Sequence, residues 1–331
     1  MRAAPVDLEA GELLAAAASE WGFGAESAEY APVGGGSHHW VLKGPRGSTR
    51  FATVDDLDQK AWLGDTRESV LGGLTRAFTT VLELEAAGLT FVVAPLQTRS
   101  GAPLHRLGPR YSLALFPFVA GETGEFGRYD EPTREALQRL LAHLHGKTGA
   151  VAAAARRVGL AVPGRLQIDW ALADLDHAWS GGPLSEPARE TLATHATDVA
   201  ELLALADRLA AAVQQHGRPW VITHGEPHAA NVMKAKDTYL LIDWDTVGLA
   251  PRERDLWMLA AAGDVPLYRA ASGHDLDPDA ISLYRLGWDL SDLAEYLTVL
   301  RSPHAENEDT RRALVGVANC AGSRNRWRHL L

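Results

Sequence analysis

The periodicity of the apolar residues changes once along the chain, near Val119, and that change constrains the fold more than any other feature. Upstream, from Glu29 to Val54, aromatic and β-branched residues are broken by glycine and proline. EYAPVGGGSHHWVLKG reads as strand, glycine turn, strand, and STRFATVDD as a third strand. A helix over 67–87 follows, weakened in its middle by Gly72 and Gly73. FVVAPLQTR and RYSLALFPFVAGE supply two more strands, and residues 5–21 a short Ala-rich helix. Downstream of Gly121 the period becomes helical. Leu137, Leu140, Leu141 and Leu144 fall on one helical stripe, as do Val199, Leu202, Leu203, Ala206, Ala210 and Val213, and later Leu290, Leu293, Leu297 and Leu300. Two short β-rich runs, WVITHGEPH and TYLLIDWD, are embedded between those helices. The pattern predicts an α+β fold in two lobes, 1–119 and 120–331, with FPFVAGETGEFG as the hinge.

Composition narrows the class of partner. The 331 residues carry 42 acidic and 32 basic side chains, a formal charge of -10, which argues against a broad nucleic-acid footprint. An acidic surface attracts cationic small molecules, although it serves solubility equally well. The single cysteine, Cys320, permits no intramolecular disulfide and fits a reducing compartment. Asp7, Glu9 and Glu12 near the N-terminus are unlike a secretory signal, and no apolar run is long enough for a membrane helix. The expectation is a soluble cytoplasmic protein without nucleic-acid or membrane partners, its oligomeric state unspecified.

The stretch HGEPHAAN, residues 224–231, allows two chemistries. In one, His224, Glu226 and His228 alternate along a strand and grip a divalent metal. Pro227 interrupts that strand, and no further ligand follows at a recognisable spacing. In the other, Glu226 and Asn231 are the base and the metal-binding amide of a phosphoryl-transfer loop. That chemistry needs a second carboxylate on a neighbouring strand turn, because Mg²⁺ prefers hard oxygen ligands. Asp243 supplies it at the end of the apolar run YLLI. The metal reading leaves Asn231 and Asp243 unexplained.

HGEPHAANVM together with YLLIDWDTVGLAPRERDL resembles the signature of the aminoglycoside phosphotransferase and choline kinase superfamily, and IDWDTVGLAPRERDL looks most like its spectinomycin-phosphotransferase branch. The resemblance implies a bilobal protein-kinase-like fold, with a small N-terminal antiparallel β lobe carrying one main helix and a larger, mainly helical C-terminal lobe. It also implies ATP and Mg²⁺, and phosphorylation of a hydroxyl on a small, amine-bearing acceptor. An aminocyclitol or aminoglycoside antibiotic, hence antibiotic resistance, is the specific expectation, with an amino sugar also open. Carried over by position, Glu226 takes the place of the catalytic Asp, Asn231 and Asp243 are the Mg²⁺ ligands, and His224 holds the loop. Asp255 in ERDL matches a loop-bracing Asp, a role compatible with a helix N-terminal acid. Gly34, Gly35, Gly36 and Ser37 in VGGGSHHW match the phosphate-covering loop, although GGGS alone reads as a flexible turn. The hinge LFPFVAG would meet adenine, with Phe116 and Phe118 nearby or packed in the core.

Two departures accompany the likeness. The family's third-strand lysine is replaced by Thr53, so Lys43 on the second strand is expected to reach the phosphates, with Lys60 as its rival and Glu68 as the paired carboxylate. Glu226 is one methylene longer than Asp, which shifts the carboxylate by about an ångström, a scale at which catalytic geometry is sensitive. Both departures motivate an alternative: a degraded kinase fold that binds nucleotide or ligand without turnover. On the late helix Asp289, Asp292 and Glu295 form a carboxylate stripe able to hold ammonium groups or simply to face solvent. Asp169, Asp174 and Asp176 are a weaker set of the same kind.

Overall fold

The computed structural model describes residues 4–60 and 62–331. The chain divides into two compact units, one made of the stretch up to Val158 with Trp220–His274, the other of Gly159–Pro219 with Asp275–Leu331.

The first unit opens with the helix Ala10–Trp21 and then builds a five-stranded antiparallel sheet. Its strands are β1 (Ser27–Ala31), β2 (His38–Lys43), β3 (Thr49–Asp56), β4 (His105–Leu107) and β5 (Tyr111–Pro117), in the order β1-β2-β3-β5-β4. Alternation along β2 sends Trp40 and Leu42 inward, and β3 answers with Ala52 opposite Trp40, small against large. Leu13 and Ala17 of the first helix cover one face of the sheet with Trp40, Leu42, Val54, Leu113 and Leu115. Val70, Leu74 and Phe78 of the helix Arg67–Ala86 cover Leu57 and Ala114 on the other. Residues Tyr111 to Leu115 are therefore buried on both faces, which is why β5 reads as an unbroken apolar run. The long helix is capped by Thr66, whose hydroxyl accepts from the Ser69 amide. Its Gly73 admits the preceding loop, since a Cβ there would stand 3.0 Å from Leu63.

One expected strand is displaced. FVVAPLQTR buries Phe91, Val92 and Ala94 but does not join the five-stranded sheet. Pro95 has no N–H to donate, and the amides on either side diverge: Val93 donates to the Leu241 carbonyl, while Leu96 makes a single bond to Leu115 of β5 without forming a ladder. The fourth strand is instead β4, whose polar His105 and Arg106 hid it in the sequence.

After β5 come β6 (Glu122–Thr123), the helix Glu131–Gly146, β7 (Val221–Thr223), β8 (Val232–Ala235), β9 (Thr238–Leu241) and β10 (Gly248–Ala250). They pair as β6-β8-β9 and β10-β7. These short ladders hold up two loops, 224–231 behind β7 and 242–247 between β9 and β10, and the helix Glu253–Ala261 follows.

The second unit is helical, with Arg165–Ala173, Ser185–Thr194, Ala196–His216, Pro278–Arg301 and Glu308–Ala321. Leu202, Leu203, Leu290, Leu293, Leu297 and Val317 lie in its core, so both expected leucine stripes face inward. Among the described residues no helix is long and apolar enough to cross a membrane.

Candidate active site

The loop after β7 is built on one buried carboxylate. Asp255, in the first turn of Glu253–Ala261, accepts from the backbone N–H groups of His224 at 2.8 Å and Gly225 at 2.7 Å. His145 reaches the same carboxylate at 3.1 Å and is itself held by the Tyr268 hydroxyl at 2.8 Å. Burial alone would raise the Asp255 pKa, but the His145 hydrogen bond and the surrounding positive charge outweigh it and hold the carboxyl below its ordinary value. Gly225 sits at φ +107, where a Cβ would stand 2.5 Å from both Arg254 and Thr246, so this turn admits only glycine.

His224 is fully buried and ties the two loops together. Its Nε2 donates to the Ile242 carbonyl at 2.9 Å, and its Nδ1 accepts from the Glu226 amide at 3.3 Å. Burial lowers its pKa, which keeps the ring in the neutral form this pattern needs. With both ring nitrogens engaged, His224 is not available as a metal ligand, which further disfavours the metal triplet. Asn231 donates its amide to the Glu226 carbonyl at 3.0 Å, with His228 Nε2 at 3.3 Å, so the amide oxygen is the atom left to face other groups. Glu226 itself is half-buried.

Asp243 lies two residues beyond β9 in a left-handed backbone conformation, φ +65, which an Asp tolerates at some cost. Its side chain opens to solvent on one side. The dense protein around it, then the charges of Asp245, Glu226 and Asp55, push its carboxyl up to about 8 against the pull of Lys60. Because one side is open, the like charges deserve more of that direction than burial does. A carboxylate crowded by others, on a strained backbone, is a place where a cation is favoured.

The cation in this cluster is Lys60, not Lys43. Lys60 is 0% exposed, and its Nζ lies 3.0 Å from Asp55 and 2.6 Å from Asp245. Burial works against its charge, but Asp245 and Asp55 prevail and hold it firmly protonated. Lys43 lies on the exposed end of β2, bonded to Glu29 at 2.7 Å, because the strand alternation that buries Leu42 turns Lys43 outward. Glu68 is likewise no partner for a lysine. It stands exposed and takes Arg106 at 3.0 Å. Thr53 faces His39 across β2 and β3 at 3.3 Å. The sequence signal for Lys60 was thin: it follows β3 by a few residues in DLDQK, outside any strand.

The glycine turn comes close to this lysine. A Cβ on Gly36 would stand 3.9 Å from Lys60 Nζ, and the buried Ser37 hydroxyl donates to Asp55 at 2.6 Å. Gly34 takes φ +69, and Gly35 has open space where a Cβ would be. Phe116 is half-buried and packs edge-on against Phe78, whereas Phe118 is exposed at the end of β5. In the second unit Asp289 is paired with Arg326 at 3.2 Å, which removes it from the expected open stripe. Burial, Glu295 and Asp289 push Asp292 up to about 6, and Glu295 is exposed. Asp169 and Asp174 are engaged by Arg165 and Arg301.

The phosphotransferase enzyme family model matches residues 34–296. Protein StrN of Streptomyces griseus is 30% identical over 258 residues, covering 75% of this chain and 76% of that protein. Among solved structures, a spectinomycin phosphotransferase in complex with ADP and spectinomycin superposes with a TM-score of 0.72 at 16% identity, covering 96% of this chain and 99% of the other. An amicoumacin kinase gives 0.58 at 13% identity, with 96% and 94% covered, and a microcompartment-associated aminopropanol kinase 0.59 at 13%, with 97% and 98% covered. The glycine turn, the 224–231 loop and Asp243 all fall within the matched span, and the chain belongs to the phosphotransferase enzyme family.

Proposed function

We propose that the protein transfers the γ-phosphoryl group of ATP to a hydroxyl of a small amine-bearing molecule, with an aminocyclitol or aminoglycoside antibiotic as the specific acceptor class. The observation that carries this reading is the ion pair between Lys60 and Asp245, two positions from Asp243. It joins a buried cation to a crowded carboxylate, the two charges that triphosphate chemistry needs side by side.

Asp243 and the Asn231 amide oxygen fit Mg²⁺: both are hard oxygen donors, and burial and the neighbouring carboxylates push the Asp243 carboxyl up even with Lys60 nearby. The ion, when bound, would neutralise charge on the phosphate oxygens. Lys60 offers an ammonium to the phosphates, and the Gly34–Gly36 turn offers backbone N–H groups. Glu226 orients the acceptor hydroxyl and takes its proton as the oxygen–phosphorus bond forms and ADP departs. His224 and Asp255 hold the backbone on which Glu226 sits. The exposed segment 117–121 is the candidate contact for adenine. Spectinomycin and aminopropanol, the small molecules named with two kinases of similar fold, motivate the amine-bearing acceptor class.

Incubation with Mg-ATP and a panel of spectinomycin, aminoglycosides, amicoumacin, amino sugars and aminopropanol, read by product mass and ³¹P spectra, tests the reading. Stoichiometric ADP and a phosphorylated acceptor are expected. Nucleotide-dependent thermal stabilisation with no product across the panel would overturn it in favour of a binder without turnover.

A further inference from the structure

Lys60 is held by two carboxylates of unlike character. Asp245 is the more open, its side chain 14% exposed, and it stands beside Asp243. Asp55 is sealed, its side chain 1% exposed at the end of β3. One Asp55 oxygen receives both the Lys60 ammonium and the Ser37 hydroxyl. Its other oxygen is buried without a hydrogen-bond partner. An uncompensated buried acceptor is destabilising, so packing alone gives no reason for an acid there. Glu68 on the long helix, the expected partner, is committed to Arg106 at the surface.

We propose that Asp55 and Ser37 are positioning residues that lock the glycine turn and Lys60 to each other, so that both close on a nucleotide phosphate as one unit. An ammonium has three donors. Asp55 takes one of them, and the pairing of its backbone with Ser112 of β5 holds it in place. Asp245, open on one side, is the partner that an incoming phosphate oxygen replaces. Ser37 is the first buried residue after the exposed glycines, so its hydroxyl anchors the turn at the end nearest Lys60. The lysine thus reaches the phosphates from a loop behind β3, with its counter-ion on β3 itself.

The inference rests on phosphate meeting Lys60, so the experiment separates the two claims. ADP affinity, KM for Mg-ATP and kcat are measured for the parent, Ser37→Ala, Asp55→Asn and Asp55→Glu. Ser37→Ala is expected to weaken nucleotide binding roughly tenfold, the worth of one hydrogen bond to a charged group, with kcat at saturation little changed. Asp55→Asn is expected to weaken it more, with partial recovery in Asp55→Glu. Parent affinity in folded Ser37→Ala overturns the proposal, and this variant removes too little to unfold the lobe. Should the parent itself bind no nucleotide, the reading of the site fails first. The lock is then read from hydrogen exchange at residues 34–38, expected to be faster in Ser37→Ala than in the parent. Equal exchange sinks it.

Discussion

Asp255 and Asp243 belong to one system of loops, and their surroundings are opposite. Asp255 sits in the first turn of a helix, ringed by donors from two backbone amides and His145, and its carboxyl is held low. Asp243 sits on a left-handed backbone among other carboxylates, and its carboxyl is pushed up to about 8. The first acid gives the loop its shape. The second is crowded by like charge, which a retained proton or a cation relieves. Stability and the proposed chemistry thus fall to different acids, as expected where a site tolerates local strain that the surrounding fold offsets.

Breaking the second acid should cost the most activity and the least structure. Asp243→Asn is expected to lower phosphoryl transfer by on the order of 10³-fold, the scale seen when a group facing transition-state charge is lost. Its effect on stability has a definite sign. The native carboxyl keeps a proton between its ordinary value of 3.8 and about 8, where the unfolded chain has released it. The parent therefore loses stability as pH rises through that window. Melting of the nucleotide-free protein at pH 8 should be no lower in Asp243→Asn than in the parent. A marked drop would show that Asp243 braces the loop as Asp255 does.

Glu226 tests the reacting end of the site. Glu226→Gln keeps shape and removes the proton acceptor, and kcat should fall by roughly 10²-fold or more with KM for ATP held. Glu226→Asp asks whether this chain has adapted to the longer acid, and a loss of up to roughly 10²-fold is expected if it has. A gain would show an active site strained by the extra methylene.

Asp255→Asn should act on stability. Breaking a buried charged pair costs about 3–5 kcal/mol, read from urea midpoints. Because its native carboxyl is held below the ordinary value of 3.8, Asp255 contributes above that value, and the contribution is lost as pH falls through the lowered native value. The acid limb of the stability profile should flatten in the variant. The smallest effect is expected at Lys43→Ala, which removes an exposed pair with Glu29 worth about 0–1 kcal/mol and leaves KM for ATP unchanged.

The acid side of the site was legible because it is nearly continuous in the chain. Glu226, Asn231 and Asp243 follow one another across β7, β8 and β9, and short strands with tight loops convert that order directly into proximity. The cationic side was not, because its contacts are nonlocal. Lys60 and Asp245 are 185 residues apart, and no local period marks the lysine. Lys43 looked better placed on β2, yet strand alternation turned it to solvent. FVVAPLQTR failed as a strand for a related reason: its apolar residues were buried as expected, while the ladder was decided by which amides found partners.

By itself the sequence determined the α+β class, the change from strands to helices, and the order of the candidate acids along the two loops. All of these are written in short-range patterns of period and spacing. Only the tertiary structure decided which lysine is buried, which acids neutralise it, and that Ser37 and Asp55 join the glycine turn to it. Those choices depend on desolvation. A charge enters the interior only where distant segments bring its partners, and no short window of the chain records that meeting.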